Sequence, residues 1–288
     1  MASINEIDSL PADSFYVKLQ PYIRSNEQVD EHSNRFDARK NAERAANTAE
    51  ERKCERCQCK YRVEMDSNGV PKPLDAKNLC QFHPGKPFFS RNYGETIYSC
   101  CEAFVDELNY NLDGDEEDYC KTHNYHVSEY SEFFTKESEI VSTASSSGSN
   151  KAVYALDCEM CVTVNGYECC RVTVVDERNV VVYESLVKPE DFIIDYVTKF
   201  SGINEETMEK GPSKSLKEVQ DDLLEFIKED TILMGHSVNN DLKSLKLRHD
   251  MLVDTVIVFP HRDSYKRNSL RWLADRKLGR NIQQGWQP

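Results

Sequence analysis

The stretch VYALDCEM, residues 153–160, decides the fold class, because an apolar run of strand-forming residues leads directly into two acids. Such a run predicts a buried strand whose end carries polar groups. Seven further segments continue the pattern, alternating between strand-like and helix-like periodicity: CCRVTVVD (169–176), VVVYESLV (180–187), SLKEVQDDLLEFIKE (215–229), TILMGH (231–236), NNDLKSLKLRH (239–249), VDTVIVF (253–259) and SLRWLADRKLG (269–279). The resulting order, βββαβαβα, predicts a mixed sheet with helices packed against it, which is an α/β fold.

Outward from this block, the chain divides into four segments by composition. Residues 1–53 are polar, and NRFDARKNAERAANTAEERK within them predicts an exposed helix with mixed charges. Residues 54–130 are rich in cysteine and histidine. Residues 131–151 contain the run SSSG, which is typical of a flexible linker. Residues 152–288 hold the α/β pattern, so we expect a small module, a linker and one larger domain.

The overall composition excludes several classes of protein. The 288 residues are 39% hydrophobic and 30% charged, and no run of about 18 apolar residues is present, so we expect no membrane span. The first residues do not resemble a secretory signal, and eleven cysteines without one indicate thiols or metal ligands rather than disulfides.

The net charge of −14 argues against non-specific binding of nucleic acid. However, the segment 248–280 holds eight Lys or Arg residues against four Asp residues. That excess is compatible either with an ordinary solvated surface or with a local basic groove.

The two acids at the end of the first strand are candidate metal ligands. Side chains at positions i and i+2 of a strand point the same way, so Asp157 and Glu159 project together while Cys158 faces the other side. Two adjacent carboxylates repel each other unless a cation or a proton neutralises them, and oxygen ligands suit hard divalent cations. The spacing alone is weak evidence, because Asp115 and Glu117 repeat it inside the solvated run DGDEED.

A third acid, Asp241, follows where a buried strand turns into a helix. The ordered set LDCEM (156–160), TKFSGINEETM (198–208) and ILMGHSVNNDLKSLKLRHDMLVDT (232–255) resembles the DEDDh superfamily of 3′→5′ exonucleases, in particular its RNA exonuclease/GOR branch. The resemblance covers nearly all of residues 152–288. It implies a ribonuclease H-like fold and an enzyme that hydrolyses RNA from its 3′ end.

The resemblance also implies roles for individual residues. Asp157, Glu159 and Asp241 would hold two Mg²⁺ or Mn²⁺ ions about 3.5–4 Å apart, as two-metal nucleases do. Met160 would line the pocket of the terminal nucleotide. Relatives in this branch are largely nuclear or nucleolar, so a nuclear location is the expectation. The expected partner is the 3′ end of single-stranded RNA.

The superfamily pattern continues with a His-x4-Asp motif that supplies a general base and a fourth carboxylate. That motif is absent up to Pro288, so the exonuclease domain is expected to be truncated at its C-terminus. Two alternatives follow. The chain is an incomplete version of an active enzyme, or it is a catalytically impaired member that binds nucleic acid or regulates.

The cysteine/histidine segment has the spacing of a zinc module. Three pairs of soft ligands are separated by two residues, and a Cys-Cys pair lies between them, which suits the corners of tetrahedral zinc sites. The alternative is a set of free, partly buried thiols. The candidate ligands are Cys54, Cys57, Cys80, His83, Cys100, Cys101, Cys120 and His123. Spacing does not determine how they group into one or two sites.

The elements QFHPGKPFF (81–89) and YSCC (98–101) resemble the module that precedes the nuclease domain in the same branch, and also CHORD-type zinc modules. This resemblance implies one or two structural zinc ions. A third reading of the chain is therefore a zinc-dependent adaptor. In it a protein partner would bind the zinc module or a sheet face that the absent motif leaves uncovered.

Overall fold

The computed structural model describes residues 11, 14–45, 51–63, 79–105, 120–128, 139–263 and 266–283. Asp115, Glu117 and the first part of the expected linker lie outside the described residues. In chain order the elements are α1 (Phe15–Leu19), α2 (Asn26–Ala45), β1 (Glu51–Lys53), β2 (Lys60–Arg62), β3 (Cys80–Phe82), β4 (Pro87–Ser90), β5 (Glu95–Tyr98), β6 (Lys121–His123), β7 (Val141–Ser142), β8 (Val153–Thr163), β9 (Gly166–Asp176), β10 (Val181–Val187), β11 (Ile193–Asp195), α3 (Thr198–Ser201), α4 (Glu205–Lys210), β12 (Ser213–Lys214), α5 (Leu216–Phe226), β13 (Ile232–Gly235), α6 (Val238–Ser244), β14 (Leu247–Arg248), β15 (Leu252–Asp254), α7 (Thr255–Val258) and α8 (Leu270–Leu278).

A mixed sheet with strand order β12-β10-β9-β8-β13-β15 forms the centre of the molecule, and β11 pairs with β8 beside this path. Strands β8, β9 and β10 are antiparallel neighbours, whereas β13 runs parallel to both β8 and β15. The predicted α/β class with a mixed, helix-flanked sheet is confirmed. The main core lies between this sheet and helices α5 and α6, and includes Val172, Val174, Leu223 and Leu242.

Helix α5 illustrates how closely local sequence determines structure here. The Ser215 side chain accepts from the backbone of Glu218, and the Glu218 carboxylate accepts from the backbone of Ser215, which is a capping box. Val219 and Leu223 then recur on the face that the sheet buries. The helix ends at Phe226, three residues before the end of the predicted segment.

Gly235 allows the turn from β13 into α6 to stay close to β8. A Cβ atom placed on it would lie 2.8 Å from the Val238 Cβ and 3.3 Å from the Leu156 carbonyl oxygen. Real side chains almost never tolerate the first distance, so any larger residue would push α6 away from the sheet. The glycine therefore keeps the helix that carries Asp241 against the strand that carries Asp157.

Two predicted elements near the C-terminus are wrong. Segment 239–249 was expected to be one helix, but α6 ends at Ser244 and the chain then pairs as β14. Segment 253–259 was expected to be a strand, but β15 ends at Asp254, whose carboxylate accepts from the Val256 amide and starts α7. A single N-capping acid thus converts a run of β-branched residues into a helical turn.

The N-terminal helices pack on the α/β domain through residues that precede the predicted exposed helix. Of that predicted segment, 34–53, the first part is helical up to Ala45, and Glu51–Lys53 forms β1 instead. The Tyr16 hydroxyl donates to the Asp230 carbonyl at 2.6 Å, and Val29 is almost fully buried in the main core. Asp30 forms an ion pair with Lys243 of α6 at 2.8 Å. The sequence did not indicate that α2 packs against the domain. One buried apolar residue in several turns leaves no amphipathic pattern.

Residues 139–151 also differ from the expected flexible linker. Strand β7 pairs in parallel with β14, and the Asn150 amide donates to the Asp230 carboxylate at 2.8 Å. The ring of His249, 1% exposed, joins this segment to the sheet. Its Nε2 donates to the Thr231 carbonyl and its Nδ1 accepts from the Thr143 hydroxyl, both at 2.7 Å. Backbone pairing and buried hydrogen bonds therefore order a segment whose composition suggests mobility.

Strand β1 and the cysteine/histidine segment that follows it contact the α/β domain, and two arginines, one from each, make hydrogen bonds there. The buried side chain of Arg52 donates to the Val164 carbonyl at 2.7 Å and to the Asn165 side chain at 3.1 Å, at the β8–β9 turn. Arg56 donates to the carboxylate of Asp195, at the end of β11, at 2.6 Å. These bonds place the segment at the far end of the strand that carries Asp157.

Within the described ranges, no helix combines the length and the apolar composition that a bilayer crossing requires.

The buried ring of His249 gives a pH-dependent stability. Burial lowers the pKa of His249, so the unfolded chain binds a proton more readily than the folded protein does. Stability from this group is present above the ordinary histidine pKa and decreases as the pH falls below it. We expect the free energy of unfolding, measured by urea denaturation, to decrease between pH 7 and pH 5, and to decrease less in His249→Gln. The control His261→Gln, in a surface loop, should keep the wild-type slope; an unchanged slope in His249→Gln would contradict this assignment.

Candidate active site and metal centres

Asp157 and Glu159 lie on the same side of β8, and Cys158 between them packs into the main core, as the alternation of a strand requires. Directly after Glu159 the pairing of β8 with β9 shifts register, so that Cys170 has no partner across the ladder. Such a β-bulge strengthens the local twist and reorients neighbouring side chains. The bulge separates the orientation of Glu159 from that of Met160, which is half-buried at the next position.

Asp241 meets this strand from helix α6. Its Oδ1 atom accepts a hydrogen bond from the Cys158 amide at 2.9 Å, and the side chain is only 6% exposed. The structure thus brings together the three predicted acids, because the third is bonded to the backbone between the first two. On the neighbouring strand β9, the Arg171 guanidinium lies 3.7 Å from the Glu159 carboxylate.

The electrostatics of the three acids favour a cation. Burial, followed by the charge of Asp157, raises the pKa of Asp241 to about 8. Asp157 keeps an exposed surface, yet the protein around it removes enough water to raise its pKa, against the opposing charges of Arg171 and His236. The pKa of Glu159 is raised by burial and by the Asp157 charge. Negative charge is therefore concentrated where water is partly excluded, which costs free energy unless protons or cations compensate it.

This donor set fits hard divalent cations. All three groups are carboxylates, the ligand type that Mg²⁺ and Mn²⁺ prefer. The neighbouring cations do not balance their negative charge, since the pKa of each acid stays raised. Among the residues that the structure describes, the oxygens of these three acids do not converge within 4.8 Å of one another.

Two further residues of the site were missed by the sequence analysis. His236 follows β13, and its Nδ1 donates to the Thr255 hydroxyl at 2.9 Å, since that hydroxyl gives its own proton to the Gly235 carbonyl. Asp254 accepts from the amides of Ser237, Val238 and Val256. Asp254 thereby holds the first turn of the helix that carries Asp241. Its position directly after an apolar run, like that of Asp157, was the available signal.

Four ligand atoms of the cysteine/histidine segment converge in a first group. Cys54, Cys57, Cys80 and His126 lie with their ligand atoms within 4.8 Å of one another. The two buried sulfurs, those of Cys54 and Cys80, are 3.6 Å apart, and the Cys57 sulfur is 3.2 Å from the His126 Nδ1. Tetrahedral zinc with Zn–S bonds of about 2.3 Å has edges of about 3.7 Å, so this group could hold zinc.

A second group comprises His83, Cys100, Cys101 and Cys120, and its cysteines are exposed. The His83 Nδ1 lies 3.3 Å from the Cys101 sulfur and 3.7 Å from the Cys100 sulfur. The ring of His83 stacks on Tyr98 with centroids 3.9 Å apart, which fixes its orientation. The described residues thus offer two separate four-ligand groups, an arrangement that spacing had left open.

His123 belongs to neither group, so its prediction as a ligand needs correction. It sits opposite Cys80 in the β3–β6 ladder, and its Nε2 is 3.9 Å from the Asp195 carboxylate. His126 takes the ligand position because the chain leaves the strand after His123, and its ring stacks on Tyr61 at 4.9 Å. The two-residue spacing from Cys120 favoured His123 in the sequence, whereas the ladder directs it toward Asp195.

Comparisons with known proteins are consistent with this geometry. A family model described as an exonuclease, RNase_T, matches residues 154–266. RNA exonuclease 1 of Saccharomyces cerevisiae is 47% identical over 135 residues, covering 46% of this chain and 24% of that protein. Exonuclease GOR of Pan troglodytes is 38% identical over 244 residues, covering 81% and 32%.

RNA exonuclease 1 homolog of Homo sapiens is 34% identical over 291 residues, covering 93% of this chain and 22% of that protein. The chain therefore spans about a quarter to a third of the length of these curated relatives. Among solved structures, the Neurospora crassa Pan2 catalytic unit (protease and nuclease domain) is similar with a TM-score of 0.44 and 24% identity. That similarity covers 49% of this chain and 25% of that one.

The concentration of negative charge predicts an effect on stability that needs no assay of activity. Asp241→Asn keeps an oxygen for the Cys158 amide and removes the buried charge that Asp241 carries above its pKa of about 8, so at pH 9 we expect a higher melting temperature in EDTA. The same change should diminish the increase in melting temperature that Mg²⁺ or Mn²⁺ causes, because a ligand is lost. The measurement is thermal unfolding of both proteins with and without metal. A variant that melts lower in EDTA, or that keeps the full metal response, would show that the Asp241 charge is already compensated.

Proposed function

Since residues 154–266 belong to the exonuclease family, we propose that the chain is a metal-dependent exonuclease of the DEDDh type that degrades RNA from its 3′ end. The observation that carries this proposal is the hydrogen bond from the Cys158 amide to Asp241, which joins the third acid to the pair Asp157 and Glu159. The relatives whose names describe RNA exonucleases support RNA as the substrate. Because the chain is shorter than these relatives, its activity needs a direct test.

In this proposal the chain's own residues position the scissile phosphate and the reacting water. The charge of Asp157 acts on both Glu159 and Asp241. Asp157 would therefore share two divalent cations with these two acids. Bound cations would polarise the phosphate, lower the pKa of the attacking water and stabilise the leaving oxygen. Glu159 would approach the terminal 3′-hydroxyl, and Met160 would contact the terminal nucleotide. Asp254 and Gly235 act indirectly, by holding α6 against β8.

For the cysteine/histidine segment, we propose two structural zinc ions, one in each four-ligand group. Hydrogen bonds from Cys57 and Cys80 lower the pKa of the Cys54 thiol, and the contacts with Cys54 raise the pKa of Cys57 and of Cys80. The three thiols would therefore ionise together only if a cation compensated their charge. The segment has little apolar core of its own, since Cys54 and Cys80 themselves make up much of it. Metal binding would therefore supply a large part of its folding free energy.

The nuclease proposal is tested with a 5′-labelled single-stranded RNA and the purified, folded chain. We expect a ladder that shortens from the 3′ end with Mg²⁺ or Mn²⁺ and stops in EDTA. Asp157→Ala should reduce the rate by about 10³-fold or more, because the ligand shared with both other acids is lost. The matched control is Asp115→Ala, in the second Asp-x-Glu of the chain, which should leave the rate unchanged.

A rate that survives Asp157→Ala would overturn this assignment of the site. RNA that is bound but not shortened by the wild-type chain would favour a catalytically impaired member.

The zinc proposal predicts a difference between two neighbouring histidines. We expect two zinc ions per chain, measured by metal analysis of the purified protein, and about one in His126→Ala. The matched variant His123→Ala should keep both, because His123 faces Asp195 instead of the sulfurs. Loss of zinc in His123→Ala but not in His126→Ala would contradict this assignment and would make His123 the ligand, as the two-residue spacing predicts. Removal of zinc by a chelator should also reduce the far-ultraviolet circular dichroism that this segment contributes.

A further inference from the structure

A concavity of about 850 Å³ lies between helix α8 and the loop that precedes it. We call it the α8 groove. Its lining includes His261, Arg262, Arg267, Trp272, Arg276 and Lys277. Four of these side chains carry a permanent positive charge, although the whole chain carries a net charge of −14. Between positions 260 and 280 the sequence holds seven Lys or Arg residues against two Asp residues. A concave, basic surface on an acidic protein focuses potential that attracts an anionic ligand.

The groove begins beside the three acids. Strand β13 runs parallel to β8 up to the pair Met234–Ala155. Just beyond that pair, His236 and Asp157 interact electrostatically with each other. His236 is hydrogen-bonded to Thr255, the first residue of α7, which leads directly into the groove loop. The charges of Asp157 and Arg267 both act on the His236 imidazole, in opposite directions. Asp157 and the groove residue Arg267 therefore both act on one side chain, that of His236.

Part of the groove is held rigid by contacts with aromatic rings and with the N-terminal helix. The Arg267 guanidinium lies 4.6 Å above the Phe36 ring and donates to the Ser33 carbonyl at 3.0 Å. The Lys277 ammonium lies 5.0 Å above the Phe259 ring. The Lys277 charge is kept in its contact, because an aromatic face does not neutralise it. Both side chains are positioned in advance for a ligand that approaches from solvent.

The outer side of the groove combines an aromatic ring with a cation. Trp272 and Arg276 are four residues apart on α8, so they share one face of the helix, and Trp272 is 44% exposed. The acid beside Arg276 is Asp275, at 3.8 Å and largely solvated on both sides, which compensates the charge weakly. Leu273 and Ala274 anchor the helix from its opposite face. An exposed indole next to cations is the pattern with which proteins bind unpaired bases and their phosphates.

From these observations we propose that the α8 groove binds the sugar–phosphate backbone of single-stranded RNA on the 5′ side of the nucleotide held at Asp157, Glu159 and Asp241. Arg262, Arg267, Arg276 and Lys277 contact phosphates, and Trp272 stacks on a base. The inference rests on the proposed function and extends it, because it accounts for how an acidic chain retains an anionic substrate between cleavage steps.

The test compares Arg262→Ala/Arg276→Ala with a matched control. Both arginines lie on the solvent side of the groove, so their removal should leave the melting temperature unchanged. The control double variant, Lys210→Ala/Lys217→Ala, removes the same charge from exposed positions near β12, at the opposite edge of the sheet. Binding is measured by fluorescence anisotropy with a labelled oligoribonucleotide in EDTA, at several salt concentrations. Binding is thus measured independently of cleavage.

We expect the groove variant to bind RNA about tenfold more weakly at low salt. The slope of log K against log[salt] should also be shallower by about 1.4, because two phosphate contacts on a single strand are lost. Trp272→Ala should weaken binding with no change in that slope, because stacking releases no counterions. The control variant should behave as wild type. Equal losses in the groove and control variants, or an unchanged slope in the groove variant, would overturn the proposal.

A kinetic measurement separates this inference from the proposed function. Hydrolysis of a dinucleotide, which has no phosphate upstream of the scissile one, should be the same in the groove variant and in wild type. The KM for a longer oligoribonucleotide should rise about tenfold while kcat is kept. If no substrate is cleaved by the wild type, the proposed function fails, and the binding data still decide whether the groove holds RNA. If the dinucleotide is also cleaved more slowly, the arginines act on the reaction centre and the inference is wrong.

Discussion

One hydrogen bond, from the backbone amide of Cys158 to the carboxylate of Asp241, is the constraint on which the site depends. It crosses from β8 to α6 and brings a third acid to the backbone between two others, against their mutual repulsion. Several features of the fold serve this contact. Gly235 lets the helix approach the sheet, Asp254 caps its first turn, and Asp30 binds Lys243 on its outer side. The free energy of the packed core is thus used to hold charges together that would separate in water.

The same balance of charge extends beyond the acids. The chain is acidic overall, yet positive charge collects along α8 and the loop before it, next to the place where the acids need compensation. An acidic surface elsewhere repels nucleic acid and would reduce non-specific binding, whereas the local groove attracts it. This distribution of charge favours an RNA strand that lies along the α8 groove over one that crosses the acidic surface.

The sequence predicted the fold and the acids where local rules dominate, and failed where tertiary contacts decide. Strand alternation predicted that Asp157 and Glu159 share a side, and the strand-to-helix change before Asp241 marked the third acid. Asp254 was missed because its function is to cap, which resembles ordinary helix initiation. His126 was missed because two-residue spacing favoured His123, and only the pairing of β3 with β6 shows which way each ring faces. The contact of Val29 with the core leaves no periodic signal at all.

Strand β8 is held at its two ends by different parts of the chain. Its start is adjacent to the Asn150–Asp230 contact. Its end is adjacent to Arg52, which lies in β1, directly before the cysteine/histidine segment, and donates to the Val164 carbonyl at the β8–β9 turn. If the zinc ions proposed for that segment were removed and β1 loosened with it, the Val164 carbonyl would lose its buried donor, while the start of the strand would stay anchored. Amide exchange would then spread from Thr163 back toward Glu159 in that single direction. Glu159 would lose its position before Asp157 does. A structural metal far from the reaction could thus influence how well the acids are positioned, through the fraying of one strand.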